Sequence, residues 1–411
     1  YSDYRRHTLP LLEAVGIFGK LMELRVLVPP TLAALEKQLN DSWATGQPFT
    51  ALHLDASLRN DTPGNTILLG FEASHEPPSP PYRQAHFVAA TILASLLATY
   101  RVRLVVLSAG TDDAERSATV GLASTLLAAG IAAVVTLHPD TPAVTQRRFW
   151  TTFYEELLHG TRISQALFAG QSRLAGDSYR GLGLGGNVHL QDWFCYNLYL
   201  GERDPRLCLR PPSELWHRSL KRARTRSSDR LPPTPSTGFV GRSRDLLRVE
   251  RLLAEQPTLF LRGPGGSGKT TTAIALADWL ARGGRFRHIA YVNGDDASAP
   301  RTLLETLGQQ LLHQGKHWST DLYPNLWRAL DHLRQTLGNQ PALIVLDQLE
   351  RWPSEHNETF DEFWKVLLGK CPELRLLGLG RLGPPSFAQP WKEVSLSPMD
   401  DDAAIRLISQ I

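Results

Sequence analysis

Short apolar runs and longer amphipathic stretches alternate along this chain, and the alternation is broken once. In the first half, residues 24–28, 49–54, 66–71, 102–107 and 132–137 are runs rich in Val, Ile and Leu. Apolar runs of that length predict strands buried on both faces. Between them, apolar positions recur at helical spacing over residues 32–42, 86–100 and 118–129, and again over 143–159 and 162–175. Strands alternating with helices predict a mainly parallel sheet covered on both sides. After the break the same logic returns, with strands expected at residues 259–262, 289–292, 342–346 and 374–379 and long helical patterns between them. No internal repeat recurs at a fixed period. The reading is a two-part α/β protein.

The break spans residues 210–236. It opens on Pro211-Pro212, passes through Arg218, Lys221, Arg222, Arg224, Arg226 and Arg230, and closes on Pro232-Pro233-Thr234-Pro235. Proline fixes φ and removes donors, so the second part reads as an extended tether, while residues 214–226 retain a helical pattern. A basic stretch beside a tether is better read as a solvated linker than as a nucleic-acid patch. Length agrees with this division, since 411 residues make two domains of about 200 each.

Composition narrows the picture further. A hydrophobic content of 42% with 21% charged residues is that of a folded chain, and a net charge of +3 gives no case for nucleic acid as a partner. Cys195, Cys208 and Cys371 have no metal-ligand spacing and are odd in number, which points to a reducing, cytoplasmic compartment rather than a disulfide framework. No apolar stretch reaches the roughly 20 residues of a membrane span, so no membrane partner is expected. The chain starts at Tyr1 without a signal peptide, which reads as a trimmed start. Residues 399–411 read as the opening of a helix, so further domains are expected beyond them.

The strongest chemistry is in the second half. Gly263-Pro264-Gly265-Gly266-Ser267-Gly268-Lys269-Thr270 matches G-x-x-x-x-G-K-[ST] in full, after a predicted strand and at the start of a helix expected over residues 271–281. Glycines let backbone N–H groups turn inward as a nest around a phosphate, which side chains would block. Lys269 supplies a point charge between the β- and γ-phosphates, Thr270 offers a hydroxyl to Mg²⁺, and the helix N-terminus at Thr271 adds its positive dipole end. The ligand expected is ATP, ADP or a related purine nucleotide with Mg²⁺. Residues 342–346 followed by Asp347 form a buried strand ending in a carboxylate, a second candidate for holding the Mg²⁺. Gln348 stands where many fast ATPases carry a second acid, and Glu350 could substitute for it. Hydrolysis is therefore expected to be slow.

These motifs sit in a wider pattern. Thr237-Gly238-Phe239-Val240-Gly241-Arg242 resembles the F-V-G-R opening motif of the STAND family, the NB-ARC-like signalling ATPases. The resemblance implies that Phe239, Val240, Gly241 and Arg242 pack over the adenine. Leu346-Asp347-Gln348-Leu349-Glu350 is similar to the family's Walker B region. Leu376-Leu377-Gly378-Leu379-Gly380-Arg381 is similar to its sensor strand, which implies that Arg381 approaches the γ-phosphate. Val394-Ser395-Leu396-Ser397-Pro398-Met399 and Asp402-Ala403-Ala404 resemble the start of its small helical domain. The resulting map places a P-loop NTPase domain at 237–394 and the start of a helical domain at 395–411.

The first half, residues 1–209, resembles the CHAT family of caspase-like proteases over residues 24–207. The segments that carry this are Leu52-His53-Leu54-Asp55-Ala56-Ser57, Leu68-Leu69-Gly70-Phe71-Glu72 and Val105-Val106-Leu107-Ser108-Ala109-Gly110, with Trp193 and Leu198-Tyr199-Leu200-Gly201 as a closing strand. A Cys–His protease needs a thiolate-forming Cys and a His within hydrogen-bond reach. In the family pattern, Ser57 stands where the catalytic His belongs and Gly110 where the nucleophile belongs, while His53 aligns with a non-catalytic His. Neither Ser57 nor Gly110 can do that chemistry, so the domain reads as a pseudoprotease with no catalytic residue. Cys195, Cys208 and His138 are weighed as replacements and read as structural or loop residues.

Together the two resemblances imply a nucleotide-regulated signalling switch, in bacterial defence or regulated cell death. Its caspase-like domain would serve as a docking or oligomerisation module, with self-association and a protein effector or protease as partners. Two alternatives stand beside it: a peptidase with a relocated dyad gated by the ATPase, and a STAND-type transcription regulator. The second lacks a helix-turn-helix or zinc pattern.

Overall fold

Two strands buried along nearly their whole length organise the first part of the chain. In a computed structural model they are β5 (Leu104–Ser108) and β6 (Ala133–Leu137). The structure describes residues 5–61, 66–73, 85–108, 113–181, 186–208, 231–233, 239–294, 299–312, 318–352, 357–388, 390–396, 398–399 and 401–408. The chain divides into two units, Tyr1–Glu23 with Leu27–Arg224, and Leu24–Val26 with Thr225–Ile411.

In the first unit, β1 (Ala51–Leu54), β5 and β6 are parallel neighbours, and β9 (Tyr196–Leu200) closes the sheet antiparallel to β6 in the order β1-β5-β6-β9. Side chains alternate across a strand. Val105, Leu107 and Val134 therefore face a core shared with Leu93 and Leu97 of α3 (Ala90–Thr99) and Leu122 and Leu126 of α4 (Asp113–Ala128). α5 (Ala143–Leu158) and α6 (Ile163–Gly176) bury Phe149, Trp150, Phe153 and Ile163, with Phe149 stacked on Tyr196 of β9.

Three expectations change here. Residues 66–71 do form a strand, β3 (Thr66–Glu72), but it lies in a separate antiparallel sheet between β2 (Leu58–Asp61) and β4 (Ala85–Ala89). Residues 86–100 split: the first positions belong to β4, where Phe71 pairs with His86 and Leu69 with Val88, and the helix starts only at Ala90. Ladder pairing with β3 outcompetes a local helical pattern that no side chain caps. Residues 24–27 adopt no regular structure and belong to no ladder, and the run ends on Pro29 and Pro30, which have no N–H to donate. The remaining helices α1 (Thr8–Val15) and α2 (Leu32–Ala44) and the hairpin of β7 (Tyr179–Gly181) and β8 (Asn187–His189) complete the unit.

The second unit is a five-stranded, wholly parallel sheet. Its strands are β10 (Thr258–Arg262), β11 (His288–Val292), β12 (Ala342–Leu346), β13 (Leu374–Gly380) and β14 (Lys392–Ser395), in the order β11-β12-β13-β10-β14. One face carries Ile344, Leu346, Leu376 and Phe260 into a core with α9 (Pro300–Leu311), α10 (Leu326–Leu337) and α11 (Asn357–Lys370), where Phe360, Phe363 and Trp364 are fully buried. α7 (Ser243–Glu255) and α8 (Lys269–Arg282) precede and follow β10, and α12 (Asp401–Ile408) comes last. The chain leaves β10 for the far edge and returns to fill in toward it. That makes the carboxyl end of β10 a topological switch point, where open α/β sheets bind ligands.

Candidate functional site

The loop from β10 into α8 is built by its glycines. Gly266 and Gly268 have φ of +76° and +84°, and Gly268 is the residue from which α8 starts. Such angles are strained for any residue with a Cβ, so the tight turn requires glycine there. The helix begins at Lys269, two residues earlier than the pattern predicts, because the loop turns directly into its first turn, which includes Thr271. Lys269 Nζ donates to the carbonyls of Gly263 (2.8 Å) and Pro264 (2.9 Å), so the side chain curls back over the loop. Partial burial lowers the Lys269 pKa, with Arg381 acting in the same direction and Glu350 and Asp347 opposing it. The buried Oγ of Ser267 has no hydrogen-bond partner. An orphaned hydroxyl in a glycine-rich loop at a helix N-terminus suits an acceptor-rich anion such as phosphate.

Asp347 follows β12 and is buried, with 2% of its surface exposed. Its Oδ2 accepts from Thr270 Oγ1 (2.7 Å) and from the Tyr291 hydroxyl (2.6 Å), and its Oδ1 accepts from the Gln348 N–H (2.7 Å). Gln348 adopts a left-handed backbone, with φ of 54°. A hydroxyl and a carboxylate beside the loop are hard oxygen donors, the set that fits Mg²⁺.

Glu350 and Arg381 meet above the same loop. Arg381 Nε lies 3.3 Å from Glu350 Oε1, and the Arg381 N–H reaches Glu350 Oε2 at 3.4 Å. The guanidinium passes close to Gly265, where a Cβ would sit 3.4 Å from Arg381 Cζ. Neighbouring strands β12 and β13 thus bring Asp347, Glu350 and Arg381 to one sheet end.

A third element arrives from the start of the unit. Gly241 has φ of +79°, and a Cβ on it would stand 2.3 Å from Ala403 Cβ and 3.4 Å from Met399 Sδ. Arg242 is buried, paired with Asp245 at 2.9 Å, and its Nε would be 3.5 Å from a Cβ on Gly268. Phe239 and Val240 are half-buried beside it. The phosphate-type loop, the Phe239–Arg242 segment and α12 therefore converge.

Sequence reasoning missed Tyr291. Nothing local marks it, because its partner Asp347 is 56 residues away, just past the end of the neighbouring strand β12.

In the first unit, His53 of β1 is enclosed by Trp150 (ring centroids 4.9 Å apart) and hydrogen-bonded to the Tyr154 hydroxyl. Burial lowers its pKa to about 3 and pushes Tyr154 up. Ser57 is exposed in the loop after β1, and its carbonyl accepts from Gly70 N–H at 3.0 Å. Gly110 lies outside the described residues. The other candidates do not assemble a nucleophile. Burial raises the Cys195 thiol pKa, a Thr141 hydrogen bond opposes this, and Asp192 adds to it. The link from His138 to Cys195 runs through the backbone, N–H to carbonyl at 2.9 Å. Asp192 is bound to the fully buried Arg180 at 2.6 Å. Among the described residues, no cluster of His, Cys, Asp and Glu could hold a metal ion, and no helix is long and apolar enough to cross a membrane.

Comparison with known proteins matches these two units to two families. Residues 12–202 match the CHAT domain and residues 253–386 match an AAA domain. A probable disease resistance protein of Arabidopsis thaliana is 28% identical over 153 residues, 37% of this chain and 17% of that protein. An uncharacterized protein of Mycobacterium tuberculosis is 28% identical over 141 residues, 34% of this chain and 33% of that one. The chain thus spans a third or less of the length of the curated relatives it matches. Among solved structures, Cdc6p from Pyrobaculum aerophilum aligns at 20% identity with a TM-score of 0.32, covering 44% of this chain and 50% of that one. The ORC2 protein of Aeropyrum pernix aligns at 15% identity with a TM-score of 0.34, covering 46% and 55%.

Proposed function

We propose that this chain, which joins a CHAT domain to an AAA-type P-loop NTPase domain, is a nucleotide-regulated signalling switch. The observation that carries the reading is the convergence of Lys269, Thr270, Asp347, Glu350 and Arg381 on one glycine-built loop at the end of a parallel sheet. Backbone N–H groups of Gly265, Gly266, Gly268 and Lys269, with the Lys269 ammonium, would hold the β- and γ-phosphates of ATP or ADP. Thr270 and Asp347 would hold Mg²⁺, which supplies charge neutralisation at the phosphates. Phe239, Val240, Gly241 and Arg242, beside α12, would cover the base.

The Glu350–Arg381 pair supports a switch rather than a simple binding site. A third phosphate would compete with Glu350 for the Arg381 guanidinium, so ATP and ADP would leave the pair in different states. That difference in contacts is what a nucleotide needs in order to shift a conformational equilibrium. Gln348 in place of a second acid makes slow hydrolysis the expectation.

The domain map proposed is a CHAT unit at 1–209, a linker at 210–236, the NTPase unit at 237–394 and the start of a helical domain at 395–411. With Ser57 and Gly110 at the dyad positions, the CHAT unit would be a pseudoprotease that docks an effector or assembles with copies of itself. The raised Cys195 pKa counts against a relocated dyad, because the thiolate is the nucleophile. A role in defence draws support from the relative named as a probable disease resistance protein.

The test is the nucleotide content and oligomeric state of the purified chain, with and without ATP and Mg²⁺, beside Lys269→Ala. Wild type is expected to carry nucleotide and to change its oligomeric state with ATP, and the variant to do neither. Fast turnover of ATP by a monomer whose state never changes would sink the switch.

A further inference from the structure

We infer that Tyr291 is a positioning residue for the divalent cation of the proposed nucleotide site and acts through the Asp347 carboxylate. The inference rests on the nucleotide reading above.

Asp347 Oδ2 carries two hydroxyl donors of different standing. Thr270 Oγ1, at 2.7 Å, belongs to the first turn of α8 and is the group expected to turn to the cation. The Tyr291 hydroxyl, at 2.6 Å, approaches from β11 rather than from the loop. Were Thr270 to turn to the cation, Tyr291 would still hold Oδ2 and the Gln348 N–H, now at 2.7 Å, would still hold Oδ1. The two together hold the carboxylate plane. An ionised carboxylate has about four acceptor sites, so this leaves lone pairs for the cation or its waters. Hydroxyl-to-carboxylate bonds of this length are the strong, charge-assisted kind.

The tyrosine is itself held from behind. β11 is an edge strand, and on its open side the Gln310 carboxamide of α9 takes the place of a neighbouring strand. Gln310 Oε1 accepts the Tyr291 N–H at 2.8 Å, and Gln310 Nε2 donates to the Tyr291 carbonyl at 2.8 Å. On the other side Asp347 N–H donates to the Val292 carbonyl at 2.8 Å, tying the carboxylate's own backbone to the strand that bears the tyrosine. A phenylalanine would fill the same volume. The hydroxyl is the part that the core does not require.

Groups that orient a metal-ligating side chain are typically worth 10- to 100-fold in metal affinity. The experiment measures binding of ATPγS to the full chain by calorimetry, in EDTA and in excess MgCl₂. Tyr291→Phe is expected to leave the metal-free affinity unchanged and to lose about 10-fold of the Mg²⁺-dependent gain. In an Asp347→Asn background the same substitution is expected to change nothing, because the carboxylate through which it acts is gone. Gln310→Ala, which loosens the Tyr291 backbone without touching Asp347, should give a smaller loss of the same sign and serves if Tyr291→Phe folds poorly. Equal Mg²⁺ dependence in wild type and Tyr291→Phe, equal losses with and without metal, or a loss that persists beside Asp347→Asn each overturn the inference alone. A wild-type chain that binds no nucleotide overturns the nucleotide reading and this inference with it.

Discussion

His53 shows how a residue that matches a protease pattern by position can be excluded from proton transfer by its surroundings. Its ring lies edge-on to Trp150 and shares a hydrogen bond with Tyr154, and burial lowers its pKa from 6.5 to about 3. The folded chain therefore keeps this ring neutral while the unfolded chain protonates it, so the folded state binds fewer protons between pH 6.5 and 3. Stability contributed by the neutral ring is complete above pH 6.5 and is lost as pH falls through that window. Between pH 6.5 and 5, before most carboxylates titrate, the loss approaches about 2 kcal/mol. Thermal melts of wild type and His53→Phe at pH 7 and pH 5 check this: the wild-type transition should fall more steeply with acid. Parallel pH dependences would show that His53 titrates normally. Arg180 shows what partners do for a buried polar group at the same scale. It is fully buried, and Asp192 and Thr145 satisfy its guanidinium.

At the scale of elements, the order of the second sheet decides which side chains meet. β13 lies between β12 and β10, so the turn after β12 and the end of β13 both open beside the loop that follows β10. Glu350 and Arg381 come from those two ends, 31 residues apart in the chain. With side-chain exposures of 21% and 65%, the pair is one that solvent screens, worth about 0.5–1 kcal/mol. Freeing Arg381 by Glu350→Gln should accordingly raise the preference for ATPγS over ADP by about 2- to 5-fold. Arg381→Ala should lower it. Competition binding with labelled ADP reads both ratios, and an unchanged ratio in Glu350→Gln would remove the pair from any account of nucleotide discrimination.

At the scale of the whole molecule, ligand binding and folding are linked through the second unit. A nucleotide that binds the folded state and not the unfolded chain stabilises it by about 2.7 kcal/mol at 100 times its dissociation constant. The proposed site draws on the β10 loop, the ends of β12 and β13, the Phe239–Arg242 segment and α12, which come together only in the folded unit. Nucleotide with Mg²⁺ should therefore raise the melting transition of wild type and leave Lys269→Ala where it was. A wild-type transition indifferent to saturating nucleotide would separate the loop from any binding role. The first unit has its own core, built from Leu93, Leu122 and Val134 among others.

Information carried by consecutive residues was enough for much of this protein. The runs that became β5, β6, β10, β11, β12 and β13 are mostly apolar because most of their residues are buried, and that pattern is legible without a partner. The loop at Gly263–Thr270 declares itself by glycines that a tight turn with positive φ requires. Only tertiary structure decided the rest. Residues 86–89 left a helical pattern for a strand because β3 offered a ladder, and residues 24–27 stayed outside any sheet because no strand pairs with them. Tyr291 reached Asp347, and Arg381 reached Glu350, because parallel strands bring together residues from distant parts of the chain. Periodicity reports which way a side chain faces. It cannot report which distant side chain the fold sets opposite.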